Sequence, residues 1–175
     1  NINQIRLIRN YEPVDEKEEF ARDMFILTYL CNGINFKDIC LLKYENFGER
    51  LITFNRSKTL HSIKVLEPIK VALLPEIKEI VRRWGNKFPH NMPSDYVFPF
   101  LQGGETGIQL RDRTRNYLKK VNKYIKVIAK KIDLGVDDLG TYHSRHSFAS
   151  ISKNAGISIQ NTVIAGWPLG ILIDE

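Results

Sequence analysis

The side chains best placed to do chemistry fall in the string TYHSRHSFASI, residues 141–151. Thr141 reads as the cap of a helix running from Tyr142 to Asn154, with Gly156 ending it, so Arg145 and His146 project from its opening turns. An arginine there offers a planar fork that stays charged and can meet two oxygens of one phosphate. Tyr142 can donate a hydrogen bond but is a poor base, its phenol ionising only near about pH 10. No acid or cysteine flanks His143, Arg145 and His146, so the cluster does not read as a metal site. His61 and His90 lack ligand-spaced partners, and GGETG (103–107) lacks the G-K-[ST] ending of a phosphate loop. A second pair of cations, Arg56 and Lys58, lies in NRSKTLHSIKV; two residues apart on a strand, they would leave the same face. Trp167, after Gly166, offers an indole N–H. Each has a plainer reading: a polar helix start, a solvent-facing strand arginine, a tryptophan in the core.

The charge is unevenly spread. The chain carries a net +6, and the stretch from Arg111 to Lys131 holds nine basic residues and one acid, Asp112. Glu12 to Asp23 is acid-rich instead. Arg111, Arg113, Arg115, Lys119, Lys120 and Lys123 are therefore the candidate nucleic-acid face.

The elements that must position these groups follow from periodicity. Glu16 to about Asn32 predicts a helix with Phe20, Met24, Leu27 and Leu30 on one face, and Gly33 as its stop. Asn35 can cap a short helix through Leu42. LITFNR (51–56) and HSIKVLE (61–67) are β-branched and partly alternating, which predicts a hairpin joined through 57–60. Pro75 opens a helix through about Trp84, with Ile77, Ile80 and Val81 inward and Gly85 ending it. Residues 103–107 read as a flexible link before the longest helix, Arg111 to Ile132. Its apolar stripe is Tyr117, Leu118, Val121, Tyr124, Ile125 and Ile128. Ser158 can cap a last short helix. The 175 residues thus predict one domain, mainly α with a small antiparallel sheet, in the α+β class. No apolar run approaches the roughly 18–20 residues that span a bilayer, and no leader is visible. Cys31 and Cys40 sit in apolar sequence without metal-ligand spacing, so a reducing cytoplasm is the expected setting.

Taken in order, these motifs resemble those of the tyrosine recombinase, or phage integrase, family across about residues 14–167. Arg145, His146, Ser147, Ala149 and Ser150 match a second motif usually written H-x-x-R-H-[ST]-x-A-[ST], with Tyr142 where histidine is usual. Gly33, Ile34, Asp38 and Ile39 match the first-motif region, but Asn35 stands at its arginine position. The string GINF-x-D is closest to the form common in Bacteroides-type mobile elements. Lys58 fits the family's hairpin lysine, and Gly166-Trp167 its last motif.

The resemblance implies the catalytic domain of a DNA breaking–rejoining enzyme, with a small three-stranded sheet, preceded in full-length relatives by a helical core-binding domain. It implies a duplex DNA substrate, a tetramer on DNA, no cofactor and no metal. A tyrosine would attack a phosphodiester, and protein cations would meet the charge gathering on the phosphate oxygens. Arg145 would supply the principal fork, and Lys58 would protonate the leaving 5′-oxygen. Trp167 would donate its indole N–H, and Tyr142 would hydrogen-bond nearby. Arg56 is the candidate substitute for the missing first-motif arginine. The family tyrosine would fall just past Glu175, and no tyrosine follows Trp167, so these 175 residues alone are expected not to cleave. A rival class stays open, a basic helical module that grips DNA or RNA without chemistry. A type IB topoisomerase shares the reaction, but the compact motifs favour an integrase.

Overall fold

The computed structural model describes residues 1–57 and 68–154. Among these residues are six α-helices: α1 Ile2–Arg9, α2 Glu16–Leu30, α3 Phe36–Leu41, α4 Pro75–Trp84, α5 Gly107–Lys131 and α6 Thr141–Asn154. Strands β1 Leu51–Phe54 and β2 Ile69–Ala72 form one antiparallel pair, from Leu51 opposite Ala72 to Phe54 opposite Ile69. The class is mainly helical with a small antiparallel sheet, two-stranded among the described residues.

Helix α2 is the central element. Asp15 caps it by accepting the Glu18 backbone N–H, and Glu16, Glu18 and Glu19 place negative charge at its positive end. It packs against α1, α4, α5 and α6. A one-sided stripe was expected, but its second half is enclosed on every side: Met24, Phe25, Ile26, Leu27, Tyr29 and Leu30 are all buried. An all-round apolar helix of this kind belongs in a core.

Several differences from the sequence reading have physical causes. Helix α1 was not expected, because INQIRLIR is short and polar; only Ile5 and Ile8 are buried from it, and a capping box at Asn1 holds its start. The strand opposite β1 is 69–72, a run not read as a strand from the sequence. The stretch 58–67, with most of the expected hairpin, and the helix expected after Ser158 lie outside the described residues. Helix α5 begins four residues before Arg111, because Thr106 and Gln109 form a capping box. Thr141 is itself helical rather than a cap. The first turn of α6 is held instead by Asn122 Oδ1, which accepts the Thr141 N–H at 3.0 Å, and by His143 Nδ1, which accepts the Gly140 N–H at 3.3 Å.

Two buried acids tie the helices together. Asp23 on α2 accepts from Arg22, from Arg83 and from the Trp84 indole, the last two at 2.8 Å. Glu18 accepts from the Tyr11 hydroxyl and from Lys131 of α5, each at 2.6 Å. Burial alone would raise the Glu18 carboxyl, but Lys131 and Tyr11 outweigh it and hold it below its usual value. A carboxyl lowered by folding stabilises above its unfolded pKa, and that stability is lost as pH falls through the folded value. Acid titration of unfolding should therefore show a shallower slope in Glu18→Gln than in the parent. Equal slopes below about pH 5 would show that Glu18 contributes nothing to acid sensitivity.

Candidate functional site

Arg145 is placed by contacts on both sides of it. The neighbouring Ser144 is fully buried and donates from Oγ to the Phe25 carbonyl of α2 at 2.9 Å, which pins α6 onto α2. Where α2 ends, the chain turns through two left-handed residues, Asn32 at φ 58° and Gly33 at φ 67°. Gly33 then lies directly against Arg145. A Cβ built on Gly33 would stand 3.1 Å from Arg145 Cγ and 3.2 Å from both its Cα and its carbonyl oxygen. The glycine expected merely to stop a helix also makes room for α6.

Arg56 arrives from the other side. β1 ends at Phe54, so Arg56 sits in the turn after the strand and not on it. The strand-parity argument linking it to Lys58 therefore does not apply. Its segment is held by Asp38 of α3, a buried carboxylate whose Oδ1 accepts the Ser57 backbone N–H at 3.0 Å. α3 is in turn started by Asn35, whose side chain accepts the Lys37 N–H at 2.9 Å. Asn35, the residue in place of the first-motif arginine, is thus a helix cap.

These segments enclose a cavity of about 560 Å³ lined by Arg56, Arg145, Tyr142 and Ser57, and by Asn35, Lys37 and Asp38 of the α3 start. Among the described lining residues, three are cations and one is a carboxylate. Arg145 is pushed below its usual value, first by burial and then by the Arg56 charge, with Asp38 and Tyr142 acting in the opposite sense. Two guanidinium groups sharing a half-buried cleft create a field that an anion relieves. A tetrahedral oxyanion, able to accept forked hydrogen bonds from each, is the ligand this charge arrangement suits. Tyr142 is 68% exposed, with its ring edge-on to His146 at 4.2 Å between centroids. Lys58 and Trp167 lie outside the described residues.

Along α5, Arg111, Arg115, Lys119 and Lys123 recur every four residues and are exposed, forming a slowly winding cationic stripe. Arg115, Lys119, Lys120 and Lys123 make no ion pair among the described residues. Arg111 pairs with Asp112 at 3.2 Å. Arg113 differs from the rest of the expected DNA face: it is half-buried, donates to Gln102 at 3.1 Å and lies 3.9 Å from Glu105.

Lys37 and the latching role of Asp38 were not read from the sequence. Asp38 was aligned to a motif without a partner, because its partner is a backbone N–H 19 residues away. Cys31 and Cys40 are buried, and burial raises both thiols to about 12, which makes them poor nucleophiles. No helix among the described residues is long and apolar enough to cross a membrane. No protein-family model matches the chain, nor does any curated protein or solved structure, so function must be read from the side chains themselves.

Proposed function

We propose that this chain is the catalytic domain of a tyrosine recombinase, acting in integration or excision of a mobile element by DNA strand cleavage and rejoining. The observation that carries the reading is the meeting of Arg56 and Arg145, from segments far apart in sequence, in one cation-rich cavity. In this reading the cavity takes the scissile phosphate. Arg145 makes the two-pronged contact, and Arg56 supplies the guanidinium that Asn35 cannot. Tyr142, at the same cavity, donates a hydrogen bond to the phosphate or to the attacking group. Lys58 and Trp167 complete the set as general acid and indole donor. The charge developing on the phosphate is met by protein cations already oriented before reaction, so little reorganisation is needed at the transition state. The α5 stripe grips flanking phosphates of duplex DNA, and a tetramer assembles on two such sites.

Duplex binding tests the electrostatic half of the reading. The domain should bind DNA with little sequence preference, and log affinity should fall against log salt by about 0.9 for each phosphate neutralised. Replacing Lys119 with alanine should make that slope shallower by about one such increment. A flat salt dependence would remove α5 from the interface. Normal salt-dependent binding, together with no covalent adduct from a chain that supplies a tyrosine beyond Trp167, would favour the non-catalytic binding module.

A further inference from the structure

A second cavity lies away from the arginines, between α2, α4 and α5. It has a volume of about 270 Å³. Its walls are aromatic: Phe20 from α2, Trp84 from α4, Phe100 from the loop before α5, and Tyr117 and Tyr124 from α5. Four of the rings pack on one another, with Phe20 edge-on to Trp84 at 5.2 Å and Phe100 tilted on Tyr117 at 4.6 Å. The polar edges of Trp84 and Tyr117 are already engaged. The Trp84 indole N–H donates to Asp23 at 2.8 Å, and the Tyr117 hydroxyl donates to the Pro99 carbonyl at 3.4 Å.

The rim is cationic. The Lys120 ammonium lies 5.1 Å from the Tyr117 ring centre, and those of Lys123 and Lys17 lie 5.4 and 6.0 Å from that of Tyr124. Glu16 is the one acid lining the groove. Lysines interleaved with half-buried tyrosines call for a ligand with a flat apolar part and negative charge beside it.

We propose that this groove binds single-stranded nucleic acid, with a base stacked among the aromatic rings and its flanking phosphates met by Lys17, Lys120 and Lys123. A stacked base needs no hydrogen bond from the walls, and these walls offer few because Trp84 and Tyr117 spend theirs inside the protein. A peptide laid in the same place would bury backbone N–H and C=O groups without partners, which is costly. Lysines act as point charges on flexible stems and so tolerate the variable phosphate positions of a single strand. Binding of this kind is indifferent to sequence, since every base presents a π-face. The inference does not rest on the recombinase reading.

The chain has two tryptophans, Trp84 and Trp167, so Trp167→Phe leaves Trp84 as the only indole reporter. Titration with an oligothymidine strand should quench Trp84 fluorescence saturably. In the otherwise unaltered chain, anisotropy of a labelled strand should show Tyr124→Leu weakening binding about tenfold, with Tyr124→Phe retaining it. Lys120→Glu should weaken it and flatten its salt dependence. Binding that persists in Arg145→Ala excludes the arginine cavity as its site. The proposal is overturned if the single strand leaves Trp84 unquenched, if Tyr124→Leu binds like the parent, or if an acidic, tyrosine-bearing peptide quenches Trp84 as strongly.

Discussion

In a chain that supplies a tyrosine beyond Trp167, Arg56→Ala should lower covalent adduct formation on a nicked duplex by about two to three orders of magnitude. Bulk duplex affinity should barely change. The separation follows from what the residue touches. Arg56 shares a cavity with Arg145 and stands apart from the α5 stripe, so its loss removes one phosphate contact among many in the ground state. On the proposed reading, however, transition-state charge accumulates on a phosphate in that cavity, and a missing donor would be felt there in full. Arg145→Ala should do at least as much damage. Arg56→Lys should recover little, because an ammonium cannot make the forked contact. Should Arg56→Ala cleave at the parent rate, the first-motif arginine has no substitute here, and Lys37 becomes the cation to examine.

Gly33→Ala should destabilise the fold by about 2–4 kcal/mol, combining the left-handed backbone penalty with overpacking. That is a large part of the stability of an ordinary domain, about 5–15 kcal/mol. A second left-handed glycine provides the control. Gly135 has φ 68° and nothing within 4 Å of a Cβ built on it, so Gly135→Ala should show the conformational cost alone, about 1–2 kcal/mol. The excess at Gly33 measures the contact with Arg145, whose Cα and carbonyl would stand 3.2 Å from the new methyl. Urea unfolding of the two variants decides the matter. Equal losses would mean that α6 shifts away at no cost and that Gly33 does not fix Arg145.

The sequence was informative wherever local chemistry decides structure. Asn35 at the start of α3, Pro75 at the start of α4 and Gly33 after α2 were legible because caps, prolines and glycines act within a few residues. Convergence of Arg56 and Arg145 was legible only through the order of motifs. Nothing in the spacing of single residues brings position 56 to position 145; the Asp38–Ser57 and Ser144–Phe25 hydrogen bonds do that, and both are long-range. The strand at 69–72 was missed for a related reason: IKVA is short, and its place is set by what lies opposite it in β1, not by propensity. The start of α5 was misplaced because GGETG looks like a link, although its last residue, Gly107, is the first of the helix. The all-round burial of α2 was hidden because periodicity detects one face and is silent on enclosure.

That enclosure makes the domain indivisible. Helix α2 comes early in the chain, yet it is covered by α1 and α4 from one part of the sequence and by α5 and α6 from another. A cut between α4 and α5 would leave Phe25 and Tyr29 facing water in the first piece and strip the second of the helix it folds around. Among the described residues the two halves share one core, so neither fragment could preserve the arginine cavity. The turn bearing Arg56 and the helix bearing Arg145 would fall on different pieces, and the cavity can exist only once the last described helix has closed on the second.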